Sequence, residues 1–196
     1  MRRRVRSHRP GSYIVFESPG EKSPTVPIHD ARPEDAAAIA AIYNESIAAG
    51  DSTMDQAPHT ARDVLGWMER FNDRETLLVM SEAGEVVGWG ILKRYSSRPG
   101  YRFCCETSVY VRRDHRGRGC GTRLQAALMT RCRSYGYHHV VAKIWAENEA
   151  SLSLHRKFGF ERVGIQREIG FHEGRWIDVA ILQCLLDDLP SDEAPS

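Results

Sequence analysis

The chain has 196 residues, 41% hydrophobic and 27% charged, the composition of one globular domain able to bury roughly 70% of the surface its unfolded chain exposes. No apolar run approaches the ~20 residues that cross a bilayer, and five cysteines, odd in number and without C-x-x-C spacing, suit neither a disulfide framework nor a zinc site. The net charge of +1 is unevenly spread: Arg2, Arg3, Arg4, Arg6, Arg9 and Lys22 against Glu17 and Glu21 give residues 1–27 a net of +4, so the rest sums to −3 and is no basic platform for nucleic acid.

These features set the first expectations. Residues 1–27 form a basic, disordered leader, because tails of this composition seldom order; the apolar stretch 13–16 is too short for a secretion signal. One domain spans 28–189, and 190–196 form a disordered tail. The cysteine usage points to a reducing, cytoplasmic setting with packing thiols, no metal and no membrane partner.

In chain order, a short strand at 28–31 runs into Pro33, suited to a first helical turn, with Glu34 and Asp35 at the positive end of the helix dipole. Ile39, Ile42, Tyr43 and Ile47 then recur at helical spacing up to Gly50. Thr60 and Asp63 have capping-box spacing, opening a helix with Val64, Trp67, Met68 and Phe71 on one face. Strands follow at 76–81 and 86–95, joined by an Ala83-Gly84-Glu85 turn, then a loop at 96–100. Residues 102–111 alternate as a strand, with Cys105, Thr107, Val109 and Val111 on one face and Cys104, Glu106, Ser108 and Tyr110 on the other. A glycine-rich turn leads into a helix with Leu124, Leu128 and Cys132 spaced by four, ending near Gly136. A strand at 138–145, a helix at 149–158 and two strands around 170–174 complete an α/β (mixed α+β) single domain.

The turn Arg116-Gly117-Arg118-Gly119-Cys120-Gly121-Thr122 lies between a strand and a helix. Its glycines let the backbone curl so that several N–H groups face one concavity, and the helix start and two arginines add positive potential. That is a pyrophosphate cradle. It lacks both the Gly-Lys-Ser/Thr of a nucleoside-triphosphatase and the G-x-G-x-x-G of a dinucleotide fold.

Arg116-x-x-Gly119-x-Gly121 after a strand resembles the R/Q-x-x-G-x-G/A coenzyme A motif of the GNAT acetyltransferase superfamily. Asn148 to Phe160 is similar to that family's N-x-x-[AS]-x-x-L-x-x-x-x-G-F segment. Glu106-Thr107-Ser108-Val109-Tyr110-Val111, Leu154-His155 and Gly174-Arg175-Trp176-Ile177-Asp178, with Ile42-Tyr43-Asn44 and Gly88-Trp89, resemble the phosphinothricin and methionine sulfone acetyltransferase branch. The resemblance covers about residues 28–186. It implies a mixed, mostly antiparallel sheet splayed at the cofactor site and flanked by helices, acetyl-CoA as co-substrate, and a homodimer.

The resemblance also implies roles. Glu106 is expected as the base that takes the ammonium proton, directly or through water. Backbone groups of Val109, Tyr110 and Val111 meet the pantetheine arm and polarise the thioester carbonyl, and residues from Arg116 through Gly117, Arg118, Gly119, Cys120 and Gly121 to Thr122 hold the pyrophosphate. Asn148 contacts the cofactor or caps a helix, and the two uses are compatible. His155 stands where many relatives carry an acidic tyrosine, and it either protonates the thiolate or hydrogen-bonds the cofactor. For the acceptor, Arg98 and Arg102 flank Tyr101 and are candidate carboxylate partners; His139, Val140 and Val141 are expected at the slot, with Trp176 as a wall. The expected acceptor is the α-amine of phosphinothricin, methionine sulfone, methionine sulfoximine or a related amino acid. Another amine (polyamine, aminoglycoside or protein) or a non-catalytic coenzyme A-binding module are the alternatives.

Overall fold

The alternating apolar residues of the central strands divide between two layers. In β2 (Thr76–Glu82), Leu77 and Val79 join a core with α1 (Ala36–Ala49) and α2 (Ala61–Glu69), whereas Leu78 and Met80 face cores built around α3 (Cys120–Ser134). Helices on both sides explain why the first five residues of β2 are all buried. The computed structural model describes residues 27–186; all but the last residue of the expected leader, and the expected tail, lie outside the described residues.

With β1 (Ile28–Asp30), β3 (Glu85–Arg94), β4 (Cys104–Val111), β5 (His139–Trp145), β6 (Glu161–His172) and β7 (Arg175–Leu185), the sheet runs in the order β1-β2-β3-β4-β5-β7-β6. Every neighbouring pair is antiparallel except β4 and β5. The short helix α4 (Glu149–Arg156) follows β5.

Local chemistry sets the ends of these elements. Thr60 and Asp63 form the reciprocal cap of α2, with Asp63 N–H donating to Thr60 Oγ1 and Thr60 N–H to the Asp63 carboxylate. Helix α1 stops at Gly50, whose φ of +56° suits a residue without Cβ. Gly90 lets α3 approach the sheet, since a Cβ there would lie 2.8 Å from Leu128 Cδ1. β4 begins at Cys104 rather than at 102, because Pro99–Tyr101 form a 3-10 turn in which Arg102 N–H bonds the Pro99 carbonyl. No helix of the described residues is long and apolar enough to cross a membrane.

Candidate active site

The parallel ladder between β4 and β5 has three rungs, Cys104–His139, Cys105–Val140 and Glu106–Val141, and stops there. β4 goes on to Val111 with ladder partners on β3 only, so from Thr107 onward its other edge has no paired strand. A wedge opens between the strands. Its β4 side offers unpaired backbone donors and acceptors, to which an amide-bearing chain can add as a further strand does.

The wedge leads into a groove of about 430 Å³ lined by Thr107–Val111, the glycine-rich turn and residues of α4. Gly117 and Gly119 adopt φ of +77° and +81°, where a side chain would be strained. The first-turn N–H groups of α3, from Cys120 on, have no carbonyl partner within their own helix and point out of its positive end. Arg116 reaches the same mouth, 3.2 Å from Asp51 Oδ2. Arg118 is exposed and does not line the groove. Donors without acceptors, a positive dipole end and an arginine fit a pyrophosphate.

Asn148, the N-cap of α4, and His155 within it are among the residues that line this groove. Asn148 caps the helix by accepting from Ser151 N–H at 3.0 Å, while its amide donates to the Asp51 carbonyl at 3.2 Å. His155 is buried, edge-on to Phe160, and its Nδ1 lies 2.8 Å from the Ser151 carbonyl. A carbonyl only accepts, so Nδ1 carries the hydrogen and the unpartnered Nε2 presents a lone pair. Burial lowers the His155 pKa, against the opposing pull of the Ser151 carbonyl. The ring is therefore neutral near pH 7. Nε2 is a hydrogen-bond acceptor awaiting a donor rather than a stored proton.

Glu106 sits at the last rung, where the wedge starts. Its carboxylate is mostly shielded from solvent and meets Lys93 Nζ at 3.2 Å and Lys143 Nζ at 2.8 Å. Lys93 is its direct cross-strand partner in the β3–β4 register. Burial alone would raise the Glu106 pKa, but the two lysines outweigh it and hold the value below the ordinary carboxylate range. The same charge, after burial, pushes the Cys104 thiol up to about 11, so that sulfur stays protonated. Cys105 and Cys132 lie Sγ to Sγ at 3.6 Å in the core, and among the described residues no cysteine is in a disulfide.

Beside Lys143 lies a second cavity of about 850 Å³, lined by residues of β5, β7 and β6. Tyr95, Tyr101, Phe103, His139, Val141, Lys143 and the loop residues Ser52–Met54 line it, and among the described residues no carboxylate does. Ser52, Lys143 and Trp145 line both cavities.

Of the residues expected around the acceptor, Tyr101, His139 and Val141 come together here. Val140 does not: strand alternation turns it to the opposite face, where it is fully buried in the core under α3. Trp176 stands at the β6–β7 hairpin, packed edge-on against Phe171 and 61% exposed, away from this cavity. Arg98 and Arg102 are exposed outside it, Arg102 lying over the Phe103 ring at 4.4 Å. Tyr110 gives the groove its backbone, while its ring stacks on Trp89 at 4.5 Å and meets Tyr43 edge-on. Lys93, Lys143 and the Asp51–Met54 loop escaped the sequence reading. Lys143 was traceable, since it alternates with His139 and Val141. The loop's return to the site is tertiary and has no local signal.

Among the described residues no group of three or more His, Cys, Asp or Glu side chains can hold a metal. The family model described as acetyltransferase (GNAT) domain matches residues 28–181. An L-methionine sulfoximine/L-methionine sulfone acetyltransferase of Pseudomonas aeruginosa is 38% identical over 170 residues, covering 86% of this chain and 98% of that protein. A phosphinothricin N-acetyltransferase of Alcaligenes faecalis is 32% identical, with 78% of each chain covered. The crystal structure of a GNAT superfamily phosphinothricin acetyltransferase from Sinorhizobium meliloti in complex with acetyl-CoA superposes with a TM-score of 0.81 at 30% identity, covering 88% of this chain and 94% of that one. A splayed β4–β5 pair, a glycine cradle at a helix start and a match across nearly the whole described domain lead to one assignment: the chain belongs to the GNAT acetyltransferase family.

Proposed function

We propose that this acetyltransferase moves the acetyl group of acetyl-CoA to the α-amine of a small amino acid such as methionine sulfone, methionine sulfoximine or phosphinothricin. The observation that carries the reading is that the two cavities share Lys143, whose Nζ lies 2.8 Å from the Glu106 carboxylate. Acetyl-CoA supplies the acyl group as a thioester. The turn from Arg116 to Thr122 and the start of α3 bind its pyrophosphate, and the unpaired edge of β4 at Val109–Val111 orients the pantetheine and donates an N–H to the thioester carbonyl. Asn148 and His155 line the same groove, His155 accepting a hydrogen bond at Nε2. Glu106 accepts the acceptor's ammonium proton, directly or through water, and the freed amine attacks. Direct transfer within a ternary complex needs no covalent enzyme intermediate.

Charge supports an acceptor that carries a carboxylate. Among the described residues Lys143 is the one Lys, Arg, Asp or Glu side chain that lines the 850 Å³ cavity, Lys93 adds a second positive charge behind Glu106, and no carboxylate lines the cavity to receive the further ammonium groups of a polyamine. A homodimer fits the outer strand: β6 is an unpaired edge, and Val163, Ile169 and Phe171 on it are more than half exposed beside Trp176. Sedimentation of the wild type and of Ile169→Asp tests that assembly, a dimer converting to monomer being the expected result. We place the reaction in the cytoplasm, with resistance to such amino-acid analogues as one outcome of it.

Thiol release from acetyl-CoA, with methionine sulfone, phosphinothricin, spermidine and a lysine peptide assayed in parallel, tests the acceptor. Release with the first two is expected. Release with spermidine or the peptide alone overturns the substrate class while keeping the cofactor. Silence throughout, with coenzyme A bound, points to a binding module.

A further inference from the structure

We propose that Lys143 is itself an acyl acceptor: with acetyl-CoA bound and no amino acid present, the site acetylates its own lysine. The inference rests on the acetyl-transfer reading above, and three observations carry it.

Lys143 is two residues beyond the last β4–β5 rung, Glu106–Val141, so it stands at the mouth of the wedge. Lys143 lines both the groove and the acceptor cavity, and among the described residues it is the only lysine that lines both. Its Nζ lies 2.8 Å from Glu106 Oε2, the position from which an acceptor ammonium passes a proton to that carboxylate. The side chain is 46% exposed on a flexible four-carbon stem, with its Nζ 5.5 Å from the centre of the Tyr95 ring. Lys93 is the internal contrast. It holds the same carboxylate at 3.2 Å but lines neither cavity.

The chemistry balances without another reagent. Glu106 takes one proton from the Lys143 ammonium, and the neutral Nζ attacks the thioester carbonyl. The N–C bond forms as the C–S bond breaks, and the thiolate leaves. The proton lost from the newly acylated nitrogen goes to the thiolate, and Glu106 returns its own to solvent. The products are acetyl-lysine, coenzyme A thiol and one proton. Acetyl-lysine is neutral, so the acceptor cavity loses the charge of Lys143 and Glu106 keeps Lys93 alone. A bound amino acid that displaces Lys143 from Glu106 suppresses the side reaction.

Peptide mass mapping of folded protein, both as isolated from expressing cells and after incubation with acetyl-CoA alone, tests the proposal. One acetyl group on Lys143 is expected, at least tenfold ahead of Lys93 and of Lys157, slowed by saturating methionine sulfone and lost in Glu106→Gln. A Lys143→Arg protein should carry no acetyl group in that peptide, and circular dichroism of each variant checks its fold. An unmodified Lys143, or labelling that is equal at Lys93 and Lys157, unchanged in Glu106→Gln or equal in unfolded chain, overturns the proposal. Methionine sulfone acetylated while Lys143 stays bare sinks this inference alone. Absence of thiol release with every acceptor, together with no acetyl-CoA binding, instead removes the reading beneath it.

Discussion

The cofactor groove and the acceptor cavity share one sheet and three lining residues, yet they are assembled differently. One wall of the groove is made from backbone: an unpaired strand edge, a glycine turn with positive φ and a helix start, all within residues 107–122, faced by residues of β5 and the α4 region. The acceptor cavity is made from side chains brought by the α1–α2 loop, the β3–β4 connection, β5, β6 and β7. Backbone binding of a constant ligand tolerates much change in side chains. Side-chain binding of a variable ligand does not, so selectivity belongs to the second region.

The sharpest break in that contrast is Glu106→Gln. It should lower kcat by about 10²–10⁴-fold, the usual worth of a general base, and leave acetyl-CoA affinity as it was, as read by thiol release beside equilibrium binding. A matching loss of affinity would mean the two regions are not separable at Glu106. Leu128→Ala removes a fully buried side chain that packs under Gly90; about 2–5 kcal/mol of stability should go in denaturant unfolding, which weakens both sites together and calibrates what a purely structural lesion looks like. Arg116→Ala should weaken acetyl-CoA by about tenfold, the low end of a charged hydrogen bond because the residue is half-exposed, with the acceptor KM unmoved. Asp51→Asn is the smallest. Its exposed pairs with Arg113 and Arg116 are worth at most about 1 kcal/mol, so acetyl-CoA affinity should change by less than about fivefold.

The same contrast explains what could be read from the chain. Alternation in β4, the four-residue spacing of Leu124, Leu128 and Cys132, and the Thr60–Asp63 cap are local signals, and the order of elements followed from them, whereas the splayed sheet was implied by the resemblance to the GNAT superfamily. The glycine turn announced itself because positive φ demands glycine. Side chains of the acceptor cavity carry no such mark. Val140 and Lys143 are three residues apart, and only strand phase sends the first into the core and the second to Glu106. Arg98 and Arg102 looked suited to a carboxylate by type, but the 3-10 turn at Pro99–Tyr101 directs Tyr101 to the cavity and leaves both guanidiniums outside.

The central claim is that Glu106 acts as an ionised base whose charge is set by Lys93 and Lys143. Its pKa is depressed, so a rate that needs the carboxylate should persist as pH falls and fail only below the ordinary glutamate range. Losing one lysine lets burial win back part of the shift, which moves that acid limb upward. The pH dependence of kcat/KM for methionine sulfone in the wild type and in Lys93→Met is the direct measurement. The account predicts a low acid limb in the wild type and a higher one in the variant. Coincident limbs in the two proteins would contradict it.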